Sequence, residues 1–313
     1  MKTKIIAIAG PTASGKTSLA VKVAKKISGE VISNDSMQVY RHMEIGTAAP
    51  TVEERKGIPH HMVGVCEPSE EFSCKDYAKR AREIIEEVAS RGKVPVFCGG
   101  TGLYFDAVLS LSDMSESGKD EALREKLLAF AEKEGNEALH DRLRAVDPEA
   151  AEGIHMNNVR RVVRALEIYE TTGKTKTQWD RESRERELPY DARIAVIEFE
   201  DRELLYSRID KRVLLMMEAG LLEEARALFE GGLLAPSKPA FQAIGYKELI
   251  PYFEGQASLE SCIAQIQQAS RRYAKRQITW FKRYPNAIRL TADRGGSVRS
   301  TDELCEELFL KLR

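Results

Sequence analysis

Residues 5 to 17 read Ile5-Ile6-Ala7-Ile8-Ala9-Gly10-Pro11-Thr12-Ala13-Ser14-Gly15-Lys16-Thr17. The first five form a continuous apolar run, which is typical of a parallel strand buried on both faces. The next eight match the pattern G-x-x-x-x-G-K-[ST], a loop whose backbone N–H groups curl around phosphate oxygens between a strand and a helix. We therefore expect Gly10 to Thr17 to bind a diphosphate or a nucleotide. In such a loop Lys16 reaches the phosphates and the Thr17 hydroxyl ligates Mg²⁺.

The stretches around this loop predict the fold class. Leu19, Val23 and Ile27 recur every four residues, which predicts a helix over residues 17–27, and we expect Gly29 to be its stop. A strand, a helix and a strand are then predicted in turn: Val31 to Ser33, Tyr77 to Ala89, and Val94 to Cys98. This β-α-β-α-β alternation predicts an α/β fold, with a P-loop-type parallel sheet flanked by helices.

The chain changes character near residue 112. Ser112 to Lys119 is rich in Ser and Gly and reads as a hinge, and the residues that follow are charged and helical in pattern. Buried-strand character returns at Arg193 to Phe199. The simplest organisation is a core with C-terminal helices, interrupted by a helical insertion domain: residues 1–111 and 192–313 for the core, and 112–191 for the insertion.

Composition excludes several classes of protein. The 313 residues include no run of eighteen apolar residues, and the apolar start is too short for a signal peptide. The five cysteines lie far apart without a C-x-x-C pair, so a disulfide framework or a zinc knuckle is not supported. His60 and His61 are adjacent and point in opposite directions on a strand, so we interpret them as structural or surface residues rather than metal ligands. We expect a cytoplasmic protein with no membrane partner.

Asp35 and Thr101 follow two of the predicted strands. Because the carboxyl ends of parallel strands form the ligand crevice, both should face the phosphate loop. Asp35 is also a good candidate for an Asx-turn, and the local sequence leaves both interpretations open. The strand Val94 to Cys98 ends in Gly99 rather than in the Asp that ATPases and GTPases use to hold Mg²⁺. This difference argues against an energy-coupling NTPase.

Basic residues cluster in two places although the net charge is only −1. Residues 270–283 contain six basic residues and no acidic one, and on a helix Arg272, Lys275, Arg276 and Thr279 share one side. Such a stripe suits a phosphodiester backbone, although a basic face is often only a solvated face. The second cluster, Arg160 to Arg164, lies in the predicted insertion.

Taken together, these residues resemble the tRNA dimethylallyltransferase (tRNA isopentenyltransferase) family, and the likeness covers almost the whole chain. It is carried by the following stretches: Gly10 to Thr17, Asn34 to Tyr40, Ile45 to Ala48, Gly57 to His61, Gly99 to Tyr104, Arg161 to Glu167, Gln242 to Glu248, and Lys275 to Phe281. The Asp35 stretch and the Lys275 stretch are specific to the family. Two positions depart from its pattern: Ala49 stands where the family has a lysine, and Asn158 where it has an aspartate.

The resemblance implies transfer of a dimethylallyl group from dimethylallyl diphosphate to N6 of the adenine just 3′ of the anticodon, tRNA position 37. It implies Asp35 as the base, Thr101 as a hydrogen-bonding partner of the acceptor, and Lys16 with Arg212 on the diphosphate. Mg²⁺ is the implied cofactor, and the anticodon stem-loop of tRNA is the implied partner of a monomeric enzyme. The implied tRNA contacts are Asp35, Ser36, Met37, Gln38, Thr101, Arg124, Arg160, Arg161, Val162, Val163, Arg164, Lys275, Arg276, Gln277, Thr279 and Trp280.

Two other functions remain to be tested against this one. A P-loop nucleoside or small-metabolite kinase would use ATP as donor and Asp35 as base for an acceptor hydroxyl, but it leaves the basic stripes unexplained. A non-catalytic RNA-binding protein with a relict nucleotide site leaves Asp35 and Thr101 unexplained.

Overall fold

The computed structural model describes residues 2–109, 120–185 and 190–312, and for residues 183–185 the backbone alone. The expected hinge, Ser112 to Lys119, lies outside the described residues. The chain divides into two compact units, which we call the sheet unit (Met1–Phe105 with Tyr190–Arg313) and the helical unit (Asp106–Pro189).

The sheet unit is built on a parallel sheet. The strands described in this unit are β1 (Thr3–Ala9), β2 (Gly29–Asn34), β3 (His60–His61), β4 (Val94–Gly99), β5 (Tyr190–Glu198), β6 (Ile288–Thr291), β7 (Asp293–Arg294) and β8 (Ser297–Val298). The first six form one sheet in the order β3-β2-β4-β1-β5-β6, with parallel neighbours throughout. The apolar run Ile5 to Ala9, which forms most of β1, therefore lies at the centre of the sheet, and the predicted α/β class is confirmed.

Helices cover the sheet and make up the helical unit. The described α-helices are α1 (Lys16–Lys26), α2 (Val52–Arg55), α3 (Cys74–Ser90), α4 (Gly102–Leu109), α5 (Glu121–Glu134), α6 (Asn136–Val146), α7 (Pro148–Gly153), α8 (Val159–Thr172), α9 (Lys176–Glu185), α10 (Arg202–Glu218), α11 (Leu221–Glu230), α12 (Ile250–Phe253), α13 (Leu259–Phe281) and α14 (Thr301–Lys311). Two short 3-10 helices occupy Pro239–Gln242 and Lys247–Leu249. In α3, an N-terminal capping box between Ser73 and Asp76 satisfies backbone donors at the start of the helix.

The predicted helix stop at Gly29 is wrong. Helix α1 ends at Lys26, Ser28 turns the chain with φ of 55°, and Gly29 is already the first residue of β2. A Cβ at Gly29 would lie 2.6 Å from the carbonyl oxygen of Val94 on the neighbouring strand. This glycine is therefore required by close strand packing rather than by the end of a helix.

The helical unit has a core of its own. Helices α5 to α8 contribute buried side chains such as Leu127, Leu143 and Leu166, all at most 2% exposed. In the described part of the chain, no helix is long and apolar enough to cross a membrane.

Candidate active site

The phosphate loop lies between the end of β1 and the start of α1. Gly15 has φ of 88° and caps α1, whose first residue is Lys16, so the helix N-terminus points into the loop. Gly10 has φ of 148°, and a Cβ there would lie 2.8 Å from the carbonyl oxygen of Ile197 in β5. The Lys16 ammonium donates to the carbonyl oxygen of Pro11 at 2.6 Å. Gly10 is therefore required by the close approach of β5 and Gly15 by its left-handed backbone, and the Lys16 side chain closes the loop.

A second cation, Arg212, lies close to Lys16. Burial, with a smaller contribution from the positive charge of Arg212, lowers the pKa of Lys16 to about 8. Burial also lowers the pKa of Arg212, which extends from α10. Grouping these cations is unfavourable in the protein alone, and a bound polyanion would relieve it.

Arg208 is a contact that the sequence analysis missed. It lies one turn before Arg212 on α10, and its Nε donates to the carbonyl oxygen of Ala13 at 3.0 Å. Ala13 has φ of 61°, in the left-handed region that residues with a Cβ rarely adopt. Leu205 and Ile209 of α10 also pack against Ala13. The i, i+4 spacing of the two arginines is the signal that could have identified this brace.

Asp35 forms the turn that the local sequence allowed. Its Oδ1 accepts from the backbone N–H of Met37 at 2.9 Å and, more weakly, from that of Gln38 at 3.4 Å. This Asx-turn fixes the carboxylate at the end of β2. The turn occupies Oδ1, whereas Oδ2 accepts no hydrogen bond from the described residues. The turn and a role for Asp35 in proton transfer are therefore compatible.

Thr101 lies beside this turn. Its hydroxyl accepts from the backbone N–H of Ser36 at 3.0 Å, and its own N–H donates to the carbonyl oxygen of Asn34 at 3.2 Å. The ends of β2 and β4, which we predicted to lie together, are thus joined by hydrogen bonds. Gln38, in contrast, is occupied by the protein: it accepts from Ser33 and donates to the carbonyl oxygens of Thr47 and Ala48.

Two cavities meet at Asp35. The first, which we call the loop cavity, has a volume of about 570 Å³ including its open mouth and is lined by Lys16, Thr17, Arg212 and the ends of β2 and β4. The second, the helix cavity, has a volume of about 1070 Å³ on the same basis and is lined by Ser36, Met37 and residues of α10 and α13. The residues that line both are Thr12, Asp35, Thr47 and Tyr273.

Thr47 is held in this shared wall by a carboxylate from α11. Glu224 accepts from the N–H groups of Ile45 and Gly46, both at 2.9 Å, and from the hydroxyl of Tyr246 at 2.8 Å. A Cβ at Gly46 would lie 2.5 Å from the ring of Tyr246. Gly46 is therefore required by the close packing of the Tyr246 ring against the Ile45 to Ala48 stretch.

Helix α13 has an exposed face and a buried face. The exposed face contains the expected stripe Arg272, Lys275, Arg276 and Thr279. Arg276 lies over the Tyr273 ring at 5.4 Å and also lines the helix cavity. The basic stripe is thus on the surface, with one of its members at the cavity.

The buried face requires a correction. Gln277, expected as a tRNA contact, is only 4% exposed, and its amide bonds to the backbone of Thr12 and of Gly100. Trp280 is partly buried, and a Cβ at Gly102 would overlap its indole ring. Both residues pack inward, so the surface stripe comprises only part of the Lys275 stretch.

The basic cluster of the helical unit is divided in the same way. Arg160 and Arg161 are exposed, whereas the side chains of Val162 and Val163 are buried in the core of this unit, and the expected tRNA contact of these two residues stays a prediction. Arg124 and Arg164 are paired with Glu167, a fully buried carboxylate: Arg124 Nε lies 2.8 Å and Arg164 Nη1 2.6 Å from its oxygens. Two exposed arginines and two tethered ones therefore remain as candidate contacts.

The two adjacent histidines each bond to other groups of the protein. His61 lies 2.7 Å from the carboxylate of Glu30, which Arg91 also contacts at 2.8 Å. His60 hydrogen-bonds the carbonyl oxygen of Ile58 at 2.9 Å and lines the loop cavity. Within residues 2–109, 120–185 and 190–312, no group of three or more His, Cys, Asp and Glu could hold a metal ion.

A Mg²⁺ ion bound through one hydroxyl is compatible with the loop cavity. Thr17 lines that cavity, and Asp35 brings a carboxylate to the same wall. The Ser14 hydroxyl is buried without a hydrogen-bond partner in the part of the chain that the structure describes. Because Mg²⁺ keeps several waters and takes phosphate oxygens, one protein hydroxyl is sufficient when a diphosphate supplies the other ligands.

Comparison with known proteins gives one family throughout. A family model described as IPP transferase matches residues 38–284, and one described as isopentenyl transferase matches residues 3–63. A tRNA dimethylallyltransferase of Geobacillus thermodenitrificans is 48% identical over 282 residues, covering 90% of this chain and 88% of that protein. One from Caldanaerobacter subterraneus is 46% identical over 310 residues, covering 99% and 97%.

Solved structures agree with the sequence relatives. A full-length tRNA isopentenylpyrophosphate transferase from Bacillus halodurans is 42% identical, with a TM-score of 0.72 over 99% of this chain and 96% of that one. A eukaryotic dimethylallyltransferase acting on tRNA is 32% identical, with a TM-score of 0.83 over 99% of this chain and 80% of that one.

Proposed function

This chain belongs to the IPP transferase family, and from that premise we propose that it transfers a dimethylallyl group from dimethylallyl diphosphate to N6 of the adenine 3′ to the anticodon in tRNA. The observation that carries the proposal is the position of Asp35, which lines both the loop cavity and the helix cavity. A group transfer needs two adjacent binding sites and a proton acceptor where they meet.

The loop cavity fits the donor. The amides of the phosphate loop, the N-terminus of α1, Lys16 and Arg212 all present positive charge to it. When the allylic C–O bond breaks, negative charge develops on the departing diphosphate, and fixed cations stabilise that charge. Mg²⁺ held by Thr17 would add charge neutralisation at the same phosphates. The reaction needs no attacking water, which agrees with a β4 that ends in Gly99.

The helix cavity fits the acceptor. The adenine must leave its stack to enter a protein cavity, as in other base-modifying enzymes. Its N6 lone pair forms the new C–N bond to the allylic carbon as the C–O bond to diphosphate breaks. The amine then carries an excess proton, and the carboxylate of Asp35 takes it up. Thr101, bonded to Ser36 beside Asp35, is placed to hydrogen-bond the acceptor.

The exposed basic residues fit the rest of the tRNA. Arg272, Lys275 and Arg276 form a surface stripe, and Arg276 reaches the helix cavity. Arg160 and Arg161 supply exposed charge on the helical unit. Phosphate contacts of this kind provide most of the affinity for nucleic acid and carry little sequence information.

We further propose that one chain is sufficient and that the enzyme works in the cytoplasm. The described residues that line the two cavities belong to one unit of the chain, so the proposed site needs no residue from a second chain. A tRNA substrate favours the cytoplasm as the place of action.

The test is incubation of the purified protein with dimethylallyl diphosphate or with ATP, each with and without tRNA. We expect prenylated tRNA and released diphosphate only when dimethylallyl diphosphate and tRNA are both present. Consumption of ATP with a small acceptor and without RNA would establish a kinase instead. Binding of tRNA without any transfer would indicate an RNA-binding protein.

A further inference from the structure

Gln277 links two loops that come from different parts of the chain. Its Oε1 accepts from the backbone N–H of Thr12 at 2.8 Å, and its Nε2 donates to the carbonyl oxygen of Gly100 at 3.1 Å. Thr12 belongs to the phosphate loop after β1, and Gly100 to the turn after β4. Gln277 itself lies on α13 and is 4% exposed. One buried side chain therefore uses both ends of its amide on the protein backbone.

Both loops contain residues of the proposed reaction. Thr12 lies four residues before Lys16 and lines both cavities. Gly100 immediately precedes Thr101, whose hydroxyl fixes Ser36 next to Asp35. The distance between the diphosphate site and the acceptor site thus depends on the separation of these two loops. The amide of Gln277 spans that separation.

The surroundings of Gln277 are specific for this side chain. A Cβ at Gly100 would overlap the Gln277 amide, so the glycine is needed for the approach. The side chain of Tyr273, one turn earlier on α13, lies beside Gln277 and Thr101. A carboxylate at this position could not donate to Gly100, and an apolar side chain would leave a buried N–H and a buried carbonyl without partners.

We infer that Gln277 is a positioning residue for the transfer, which holds the phosphate loop and the Thr101 loop at the separation that the reaction needs. The inference rests on the proposed function. It replaces a direct contact with tRNA, because Gln277 is 4% exposed and lines the loop cavity rather than the surface stripe. Reacting groups displaced by about 1 Å lose up to roughly a hundredfold in rate, so the effect belongs mainly to the transfer step.

The test compares Gln277→Glu with Gln267→Glu. Gln267 lies ten residues earlier on α13, lines neither cavity, and donates its Nε2 to the carbonyl oxygen of Asp210 at 3.3 Å. The measurements are the single-turnover transfer rate with both substrates saturating, the two dissociation constants, and the melting temperature. For Gln277→Glu we expect the rate to fall roughly 10- to 100-fold with tRNA affinity nearly unchanged. For Gln267→Glu we expect a normal rate.

A double-mutant cycle tests the same contact from its other side. Gly100→Ala should also lower the rate, because the new Cβ displaces the Gln277 amide. In the Gln277→Ala background, where the side chain is already removed, Gly100→Ala should cost much less. If Gln277→Glu does not fold, Gly100→Ala and this cycle still test the contact.

Three results would overturn the inference. A normal rate at saturation with weaker tRNA binding would make Gln277 a tRNA contact. A lower melting temperature with a normal rate would make Gln277 a purely structural residue. Strictly additive effects in the cycle would show that Gly100 and Gln277 do not act on the rate through their contact. Failure of the proposed function is distinct from all three, since the wild-type protein would then transfer no dimethylallyl group.

Discussion

The loop cavity and the helix cavity share Asp35 but are lined by different structural elements. The loop cavity lies at the ends of adjacent parallel strands, where β1, β2 and β4 fix the backbone by hydrogen bonds on both sides. The helix cavity is lined by two helices and by two segments that connect elements, Gly46 to Ala48 and Gln242 to Gly245. One site is set by the sheet, and the other depends on how distant segments pack. Small, fixed ligands suit the first, and a flipped base on a large partner suits the second.

Replacing the residue that the two cavities share should have the largest effect. Asp35→Asn removes the proposed proton acceptor, while the new amide oxygen can still accept from Met37 and keep the turn. We expect kcat to fall roughly 10²- to 10⁴-fold, with both dissociation constants near their wild-type values. Single-turnover rates and separate binding measurements check this. A near-normal kcat would remove Asp35 from the chemistry, and loss of either binding would give it a structural role.

Raising the pH should affect the loop cavity alone. Without a ligand, Lys16 has a pKa of about 8, so it is charged below that pH and becomes neutral above it. The charged form binds the diphosphate, and donor affinity should therefore weaken as pH rises through 8, by at most about tenfold per pH unit. Titration of donor binding between pH 7 and 9.5 measures this. The donor affinity of the Lys16→Arg variant should stay constant between pH 7 and 9.5, because a guanidinium stays charged. An equally flat wild-type profile would show that Lys16 does not control the affinity.

The smallest expected effect concerns tRNA binding alone. The exposed Lys275 and Arg276 should each release counterions on contacting tRNA phosphates. Replacing both with Ala should flatten the plot of log K against log salt by about 0.7 to 0.9 for each lost contact, with donor binding unchanged.

The control for this pair removes two charges elsewhere. Lys25 and Lys26 are exposed at the far end of α1, and their replacement by Ala should leave the slope as it is. An unchanged slope in a normally folded Lys275→Ala, Arg276→Ala variant would make the stripe a solvated helix face.

The difference between the loop cavity and the helix cavity also explains which parts of the site could be predicted from the sequence. The phosphate loop is eight consecutive residues after an apolar strand, so its structure is determined locally and its motif is specific. Asp35 and Thr101 follow strands of one parallel sheet, and strand ends meet by topology. These parts of the site depend on short-range patterns, which a single sequence contains.

The parts that were missed depend on packing between distant segments. Gln277 lies within a basic stretch and reads as a surface residue until α13 packs against the phosphate loop. Arg208 acquires its role only because α10 reaches Ala13, 195 positions earlier in the chain. Val162 and Val163 are different, since two adjacent apolar side chains at a helical position already indicated a buried helix face.

The most direct test is the structure of a ternary complex with an unreactive thio-analogue of dimethylallyl diphosphate and an anticodon stem-loop. The decisive measurement is the distance from the Asp35 carboxylate to N6 of the acceptor adenine. We expect about 2.6 to 3.2 Å, directly or through one water, with the diphosphate on Gly10 to Thr17 and the adenine in the helix cavity. An adenine N6 out of reach of Asp35 while the allylic carbon is in position for attack would contradict the proposed role of Asp35. Placement of both ligands in one cavity would contradict the division between the two.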